Sequence, residues 1–346
     1  MLKRINNRLK LASHVLLHGN KNINRRENIP AITPEEVAEA KTFFHRDKFF
    51  IFGHARSGTT LLNRLIRLHP EVHCNYQGHF FTRPPLLQSL VDNPEVEEWF
   101  TRHSNRWNRG KDISPVVLRS VVDFLMEREA AKEGKHIVGD KSPNNLLNGE
   151  AVRLLHNIYP DAKLIFIVRD GRDAALSHRF QAFIDATQHL NKADLKILNA
   201  FGQNAEQFRA PNKSLFTTSG IKQAAEDWAF NVTSTHLEGR KRFGNQYLHL
   251  RFEDLLANPE AEMHRVWGFL GADTSIPDLN DLIDTALNRN IDAAWQKEKA
   301  GQMATEIPKG QAGSWREYFS KRDIKAFKAA AGEILVQWGY EENVNW

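Results

Sequence analysis

Lys48-Phe49-Phe50-Ile51-Phe52-Gly53-His54-Ala55-Arg56-Ser57-Gly58-Thr59-Thr60-Leu61-Leu62 is the stretch that decides the fold. Phe49 to Phe52 are an unbroken apolar run, the pattern of a strand buried on both faces of a parallel sheet. A loop bounded by Gly53 and Gly58 follows. From Thr59 onward, Leu62, Leu65 and Ile66 fall at helical spacing. The loop has the spacing of a phosphate loop, Gly-x-x-x-x-Gly-Lys-[Ser/Thr], with Thr59 in the lysine position. Such a loop converges backbone N–H groups on an oxyanion, and the helix N-terminus adds roughly half a positive charge. The lysine of that pattern reaches the β- and γ-phosphates of a nucleoside triphosphate. A loop without it is expected to take a shorter anionic group, without Mg²⁺, with Arg56 supplying a cation from another direction.

Outward from this unit, strands are expected over 136–139, 163–168 and 246–251, with helices over 144–159 and from about 254 to 270. Strands alternating with helices predict an α/β fold, a parallel sheet flanked by helices. The stretches 76–130 and 180–225 read as strand-free helical insertions. Thr33-Pro34-Glu35-Glu36 carries a helix start, with Thr33 as N-cap, Pro34 in the first turn and Glu36 closing a capping box. Residues 1–32 are expected to be an amphipathic helix and a linker, ahead of one α/β domain over 33–346. Leu2, Ile5, Leu9, Ala12 and Leu16 share a helix face, with Lys3, Arg4, Arg8 and Lys10 opposite. That face suits packing on its own domain or on a partner subunit, with peripheral membrane contact as the alternative.

Composition narrows the function classes. The 346 residues carry 47 Lys+Arg against 42 Asp+Glu, and 41% are hydrophobic, which excludes a disordered or low-complexity chain. A net charge of +5 is too thin for a nucleic-acid partner but suits a local anionic ligand. The single cysteine, Cys74, permits neither an intrachain disulfide nor a cysteine-based zinc site. A reducing cytoplasm is the expected compartment. No apolar run is long enough to span a membrane, and no secretory signal is expected.

Two further motifs follow strands. In Val168-Arg169-Asp170-Gly171-Arg172-Asp173-Ala174-Ala175-Leu176-Ser177, a cation at the strand end and a hydroxyl in the next helix can grip one phosphate from two sides. Alternatively, Arg169 pairs with Asp170 or Asp173. In Gly139-Asp140-Lys141-Ser142-Pro143-Asn144, Lys141 is placed on the sheet edge where parallel α/β sheets bind ligands, or pairs with Asp140.

Arg56-Ser57-Gly58-Thr59-Thr60-Leu61-Leu62 resembles the 5′-phosphosulfate loop of the sulfotransferase family, enzymes that use 3′-phosphoadenosine 5′-phosphosulfate (PAPS), above all its tyrosylprotein and bacterial branch. The resemblance runs over about 48–320. It implies that Arg56, Ser57, Gly58, Thr59 and Thr60 hold the 5′-phosphate and sulfonate oxygens, and that Arg169 and Ser177 hold the 3′-phosphate. It gives Lys141 the charge on the sulfonate and departing phosphate. Lys309-Gly310-Gln311-Ala312-Gly313-Ser314-Trp315 resembles a late segment of the family that closes over the 3′-phosphate and adenine, with Lys309 and Gly310 as ligands. Arg251-Phe252-Glu253-Asp254 is similar to a strand end that commonly reads Tyr-Glu-Asp, so Phe252 supplies no hydroxyl there.

The base departs from the family pattern. Gln77 falls where a glutamate is expected, and an amide cannot take a proton. His79 is the nearest alternative, with His54 and Asp140 also within reach. The expected reaction is sulfonate transfer from PAPS to a hydroxyl or amine of a small-molecule, glycan or peptide acceptor, with Arg56, Lys141 and His79 catalytic and no metal. Two competing readings remain. One is a metal-dependent nucleotide kinase or triphosphatase, disfavoured by Thr59. The other is a non-catalytic nucleotide-binding relative, which Gln77 keeps open.

Overall fold

The computed structural model describes residues 31–102, 104, 111–209, 213–288 and 311–346, together with Ser13. The expected N-terminal helix and linker up to residue 30, and the expected ligands Lys309 and Gly310, lie outside the described residues.

Thr33 opens α1 (Pro34–Phe43): its Oγ1 accepts from the Glu36 amide at 3.3 Å while Glu36 Oε2 accepts from the Thr33 amide at 2.9 Å. β1 (Asp47–Gly53) is buried along six of its seven residues and runs into α2 (Thr59–Ile66). β2 (Val72–Tyr76), α3 (Ser114–Lys132) and β3 (Ile137–Lys141) follow. Then come α4 (Glu150–Ile158), β4 (Lys163–Val168), α5 (Gly171–Asp185) and α6 (Thr218–Phe243). β5 (Tyr247–Arg251), α7 (Phe252–Ala257), α8 (Pro259–Leu270) and α9 (Lys321–Gln337) complete the framework. Two further helices, Pro94–Thr101 and Lys192–Gln203, sit in the two insertions.

The strands form one sheet in the order β2-β3-β1-β4-β5, with every neighbouring pair parallel. Because side chains alternate across a strand, Phe49 and Ile51 of β1 join Ile165 and Ile167 of β4 on one face, against Leu62, Leu65 and Trp267. Phe50 and Phe52 join Leu164, Phe166 and Val168 on the other, against α3, α6 and α9. Covering both faces explains why β1 and β4 read as unbroken apolar runs. Phe81, Phe100, Phe180 and Phe183 of the insertions are buried in the second of these cores.

Three local differences from the sequence reading have physical causes. β2 is a strand at the sheet's edge whose alternate residues are polar, and His73 Nε2 meets Asn75 Oδ1 on its polar side at 3.2 Å. Alternation over five residues gives too weak a signal to stand out. The helix expected from 144 begins at Glu150, because Asn144 Oδ1 accepts from the Leu146 amide and Asn148 and Gly149 take positive φ. The helix expected over 254–270 is two helices, since Pro259 has no N–H to continue the first.

Candidate functional site

The expected site residues that the structure describes gather at the carboxyl ends of neighbouring strands and in the helices that follow them, Ser177 lying within α5. The central strand, β1, supplies the phosphate loop. Gly53 allows no larger residue: a Cβ there would stand 2.8 Å from Thr59 Cγ2 and 2.9 Å from the Ile167 carbonyl oxygen. Gly58 caps α2 in the left-handed region at φ 86°, which favours glycine. A Cβ on Gly58 would also meet the Phe252 ring at 2.2 Å. The departure at Phe252 is therefore a packing residue, with its ring filling the space behind Gly58. Within the loop, the Ser57 amide donates to the His54 carbonyl at 3.1 Å. Ser57 Oγ is buried and has no hydrogen-bond partner among the described residues. A buried hydroxyl left without a partner is costly, and an anion oxygen in the cradle would satisfy it.

β4 supplies the second cation. Arg169 donates Nη1–H to the Arg56 carbonyl at 3.2 Å and Nη2–H to the Gln311 carbonyl at 2.9 Å. Its Nε is buried without a partner among the described residues, a second donor that suits an anion. The carboxylates considered as its partners are engaged elsewhere. Asp170 receives the Arg172 guanidinium at 2.6 Å, and Asp173 accepts from the Gly313 and Trp315 amides at 2.6 and 2.9 Å. Asp173 thus ties the segment from Gln311 onward to the first turn of α5. The two anion motifs meet directly, with Arg56 donating Nε–H to Ser177 Oγ at 3.1 Å.

β3, on the other side of β1, ends in Lys141, which is fully buried. Its Nζ is 3.4 Å from Thr60 Oγ1 and 3.6 Å from the centre of the Tyr76 ring. Burial pulls the ammonium pKa down to about 8, with Asp140 opposing the fall and Arg56 adding to it. Lys141 and Asp140 do not pair, because adjacent strand residues point to opposite faces. Burial raises the Asp140 carboxyl to about 6.

Asp140 instead braces the loop that carries Gln77 and His79. Three successive amides are fastened to three successive residues of β3 and its end. Gln77 donates to the Lys141 carbonyl at 2.7 Å. Gly78 donates to Asp140 Oδ1 at 2.8 Å and His79 to Ser142 Oγ at 2.9 Å, while the Ser142 hydroxyl donates to Asp140 Oδ2 at 2.7 Å. The fastening holds Gln77 and His79 at φ 60° and 50°, a region L-residues seldom occupy. His79 Nδ1 meets Thr82 Oγ1 at 2.9 Å. Burial, then Arg83 and Lys141, lower its pKa from the ordinary value. His54 lies deeper behind the loop, and burial takes it down to about 4. The bracing role of Ser142 had no signal in the sequence, because it depends on the register between β2 and β3.

A sequence model described as the Sulfotransferase family matches residues 48–276, about two thirds of the chain and all five strands. The chain belongs to the sulfotransferase family. Protein-tyrosine sulfotransferase A of Caenorhabditis elegans is 24% identical over 309 residues, which take in 87% of this chain and 70% of that protein. The Drosophila melanogaster protein-tyrosine sulfotransferase is 26% identical over 223 residues, 64% of this chain but only 37% of the relative. Among solved structures, a mouse sulfotransferase complexed with PAP aligns at TM-score 0.44 and 16% identity, covering 88% of this chain and 89% of that one. Among the described residues of this sulfotransferase, no helix is long and apolar enough to cross a membrane.

Proposed function

We propose that this chain transfers the sulfonate of PAPS to a hydroxyl or amine, leaving 3′,5′-adenosine bisphosphate (PAP). The observation that carries the reading is the meeting of two anion loops, Arg56 Nε on Ser177 Oγ at 3.1 Å, with Lys141 buried on the far side of the first. A nucleotide with phosphates at both ends of its ribose needs two such sites side by side. In this reading the loop from Arg56 to Thr60 holds the 5′-phosphate and sulfonate, and Arg169 and Ser177 hold the 3′-phosphate. Lys309 and Gly310 remain proposed ligands from the late segment. The acceptor oxygen or nitrogen forms a bond to sulfur as the bond from sulfur to the bridging phosphate oxygen breaks. Lys141 and Arg56 neutralise charge growing on the leaving phosphate, and the acceptor's proton goes to a base.

Among the candidates, His79 fits that base. Its lowered pKa keeps the imidazole neutral at pH 7, and the Thr82 contact at Nδ1 leaves Nε2 for the proton. His54, down at about 4, is too weak a base, and Asp140 already accepts from Gly78 and Ser142. His79→Ala is expected to lower kcat at least ~10-fold, the low end of a general base's contribution, with PAP affinity unchanged. Near-normal turnover would remove His79 as base.

The tyrosine-modifying relatives make a tyrosine-containing peptide the first acceptor to try, beside simple phenols and glycans. The lone buried Cys74 suits a reducing, cytoplasmic setting. Thermal shift with PAP, with ATP and with ATP plus Mg²⁺ separates the readings. A ligand at 100-fold its Kd stabilises by ~2.7 kcal/mol, so PAP should raise Tm clearly. A shift with Mg·ATP and none with PAP would point to a kinase. A shift with PAP, but no release of PAP from PAPS with any acceptor, would point to a non-catalytic relative.

A further inference from the structure

Sheet register sets Tyr76 of β2 directly beside Lys141 of β3, and residues paired this way point to the same face. The two differ sharply in exposure, 57% for Tyr76 and 0% for Lys141. Lys141 Nζ lies 3.6 Å from the ring centre, well inside the ~6 Å over which a ring face attracts a cation. Thr60 Oγ1 is 3.4 Å from that Nζ and 3.4 Å from the Tyr76 hydroxyl. Tyrosine, lysine and threonine therefore close a triangle over the first turn of α2.

We infer that Tyr76 is the positioning residue of Lys141, its ring roofing the ammonium and holding it toward Thr60 of the phosphate loop. The inference rests on the role proposed above for Lys141. What favours a ring here is the charge of the donor. A carboxylate at position 76 would hold the ammonium more strongly, but it would repel the incoming phosphosulfate. A ring face attracts the cation without adding a negative charge.

The test compares Tyr76→Leu, Tyr76→Phe and Lys141→Ala. PAP release from PAPS is followed with p-nitrophenol and with a tyrosine-containing peptide as acceptors, and as slow hydrolysis to sulfate without either. Tyr76→Leu is expected to lower kcat about 10-fold while the KM for PAPS and the Kd for PAP stay within about twofold. Tyr76→Phe keeps the ring and should restore most of the loss. In ¹³C-lysine-labelled protein, the Lys141 Cε resonance should show the ring's shift in wild type and Tyr76→Phe, and lose it in Tyr76→Leu. The side chain is largely exposed, so stability should hold in both variants. Wild-type kcat in Tyr76→Leu, or an equal loss in Tyr76→Phe, overturns the inference while an inactive Lys141→Ala leaves the parent reading standing. Full turnover in Lys141→Ala overturns both.

Discussion

Lys141→Met is expected to give a protein that is more stable than the wild type and nearly inert. The stability gain follows from burial. The ammonium is held at about 8 against an ordinary 10.5, and at ~1.4 kcal/mol per pKa unit this implies a cost on the order of 3 kcal/mol for keeping it charged at pH 7. Methionine fills nearly the same volume without that cost, although it gives up the contacts with Thr60 and the Tyr76 ring. A net gain of ~1–3 kcal/mol should remain. The sign is fixed by linkage. Between about 8 and 10.5 the unfolded chain holds this proton more tightly than the folded one. The lysine's penalty is therefore full below pH 8 and shrinks as pH rises through that window. Urea melts of both proteins should differ most at pH 7 and converge near pH 10. Turnover should fall at least ~10²–10³-fold, the usual cost of deleting a group that faces charge developing in the transition state. A variant that is less stable at pH 7, or one that releases PAP from PAPS at the wild-type rate, contradicts this account of Lys141.

How far the fold could be read from the sequence depended on burial. β1 and β4 are covered on both faces, so each writes an uninterrupted apolar run. β2 has only Val72, Cys74 and Tyr76 in apolar alternation, and the polar His73 and Asn75 interrupt it. Edge strands are legible mainly through their neighbours, and the β2–β3 register is a property of the folded sheet. Helix starts set by side chains one turn apart were readable, as with Thr33 and Glu36. The start at Glu150 was not, because the backbone turn at Asn148 and Gly149 overrides helical spacing.

The site divides along the same line. Gly53, Gly58, Arg56 and Ser57 are local in sequence, and their spacing encodes a loop whatever surrounds it. Arg169 and Lys141 were legible as cations at strand ends, but their partners were not. Sequence proximity suggested Asp170, Asp173 and Asp140. The strand's alternation turned Asp140 away from Lys141, and Arg172 captured Asp170. The brace on Gln77 to His79 and the ring over Lys141 join residues more than 60 positions apart, and no local pattern encodes such contacts.

Arg169→Ala should separate the two phosphates of the nucleotide. The guanidinium is oriented on three sides, by the Arg56 carbonyl at 3.2 Å, the Gln311 carbonyl at 2.9 Å and the Phe252 ring centred 4.9 Å away. Its buried Nε, which lacks a partner among the described residues, and its positive charge are what a phosphate would engage. A charge-assisted hydrogen bond contributes ~1.5–3 kcal/mol, so the Kd for PAP should rise ~10–100-fold. Adenosine 5′-monophosphate, which lacks the 3′-phosphate, should lose no more than about threefold. Arg169→Lys restores the charge without the planar fork and should fall between the two. The comparison of ligands matters because Arg169 also steadies the Arg56 carbonyl, so truncation could loosen the first loop as well. That loosening would weaken both nucleotides alike. Calorimetric titration of both ligands into wild type and the two variants reads the difference directly. Equal losses would make Arg169 a strut of the phosphate loop and move the 3′-phosphate contact elsewhere.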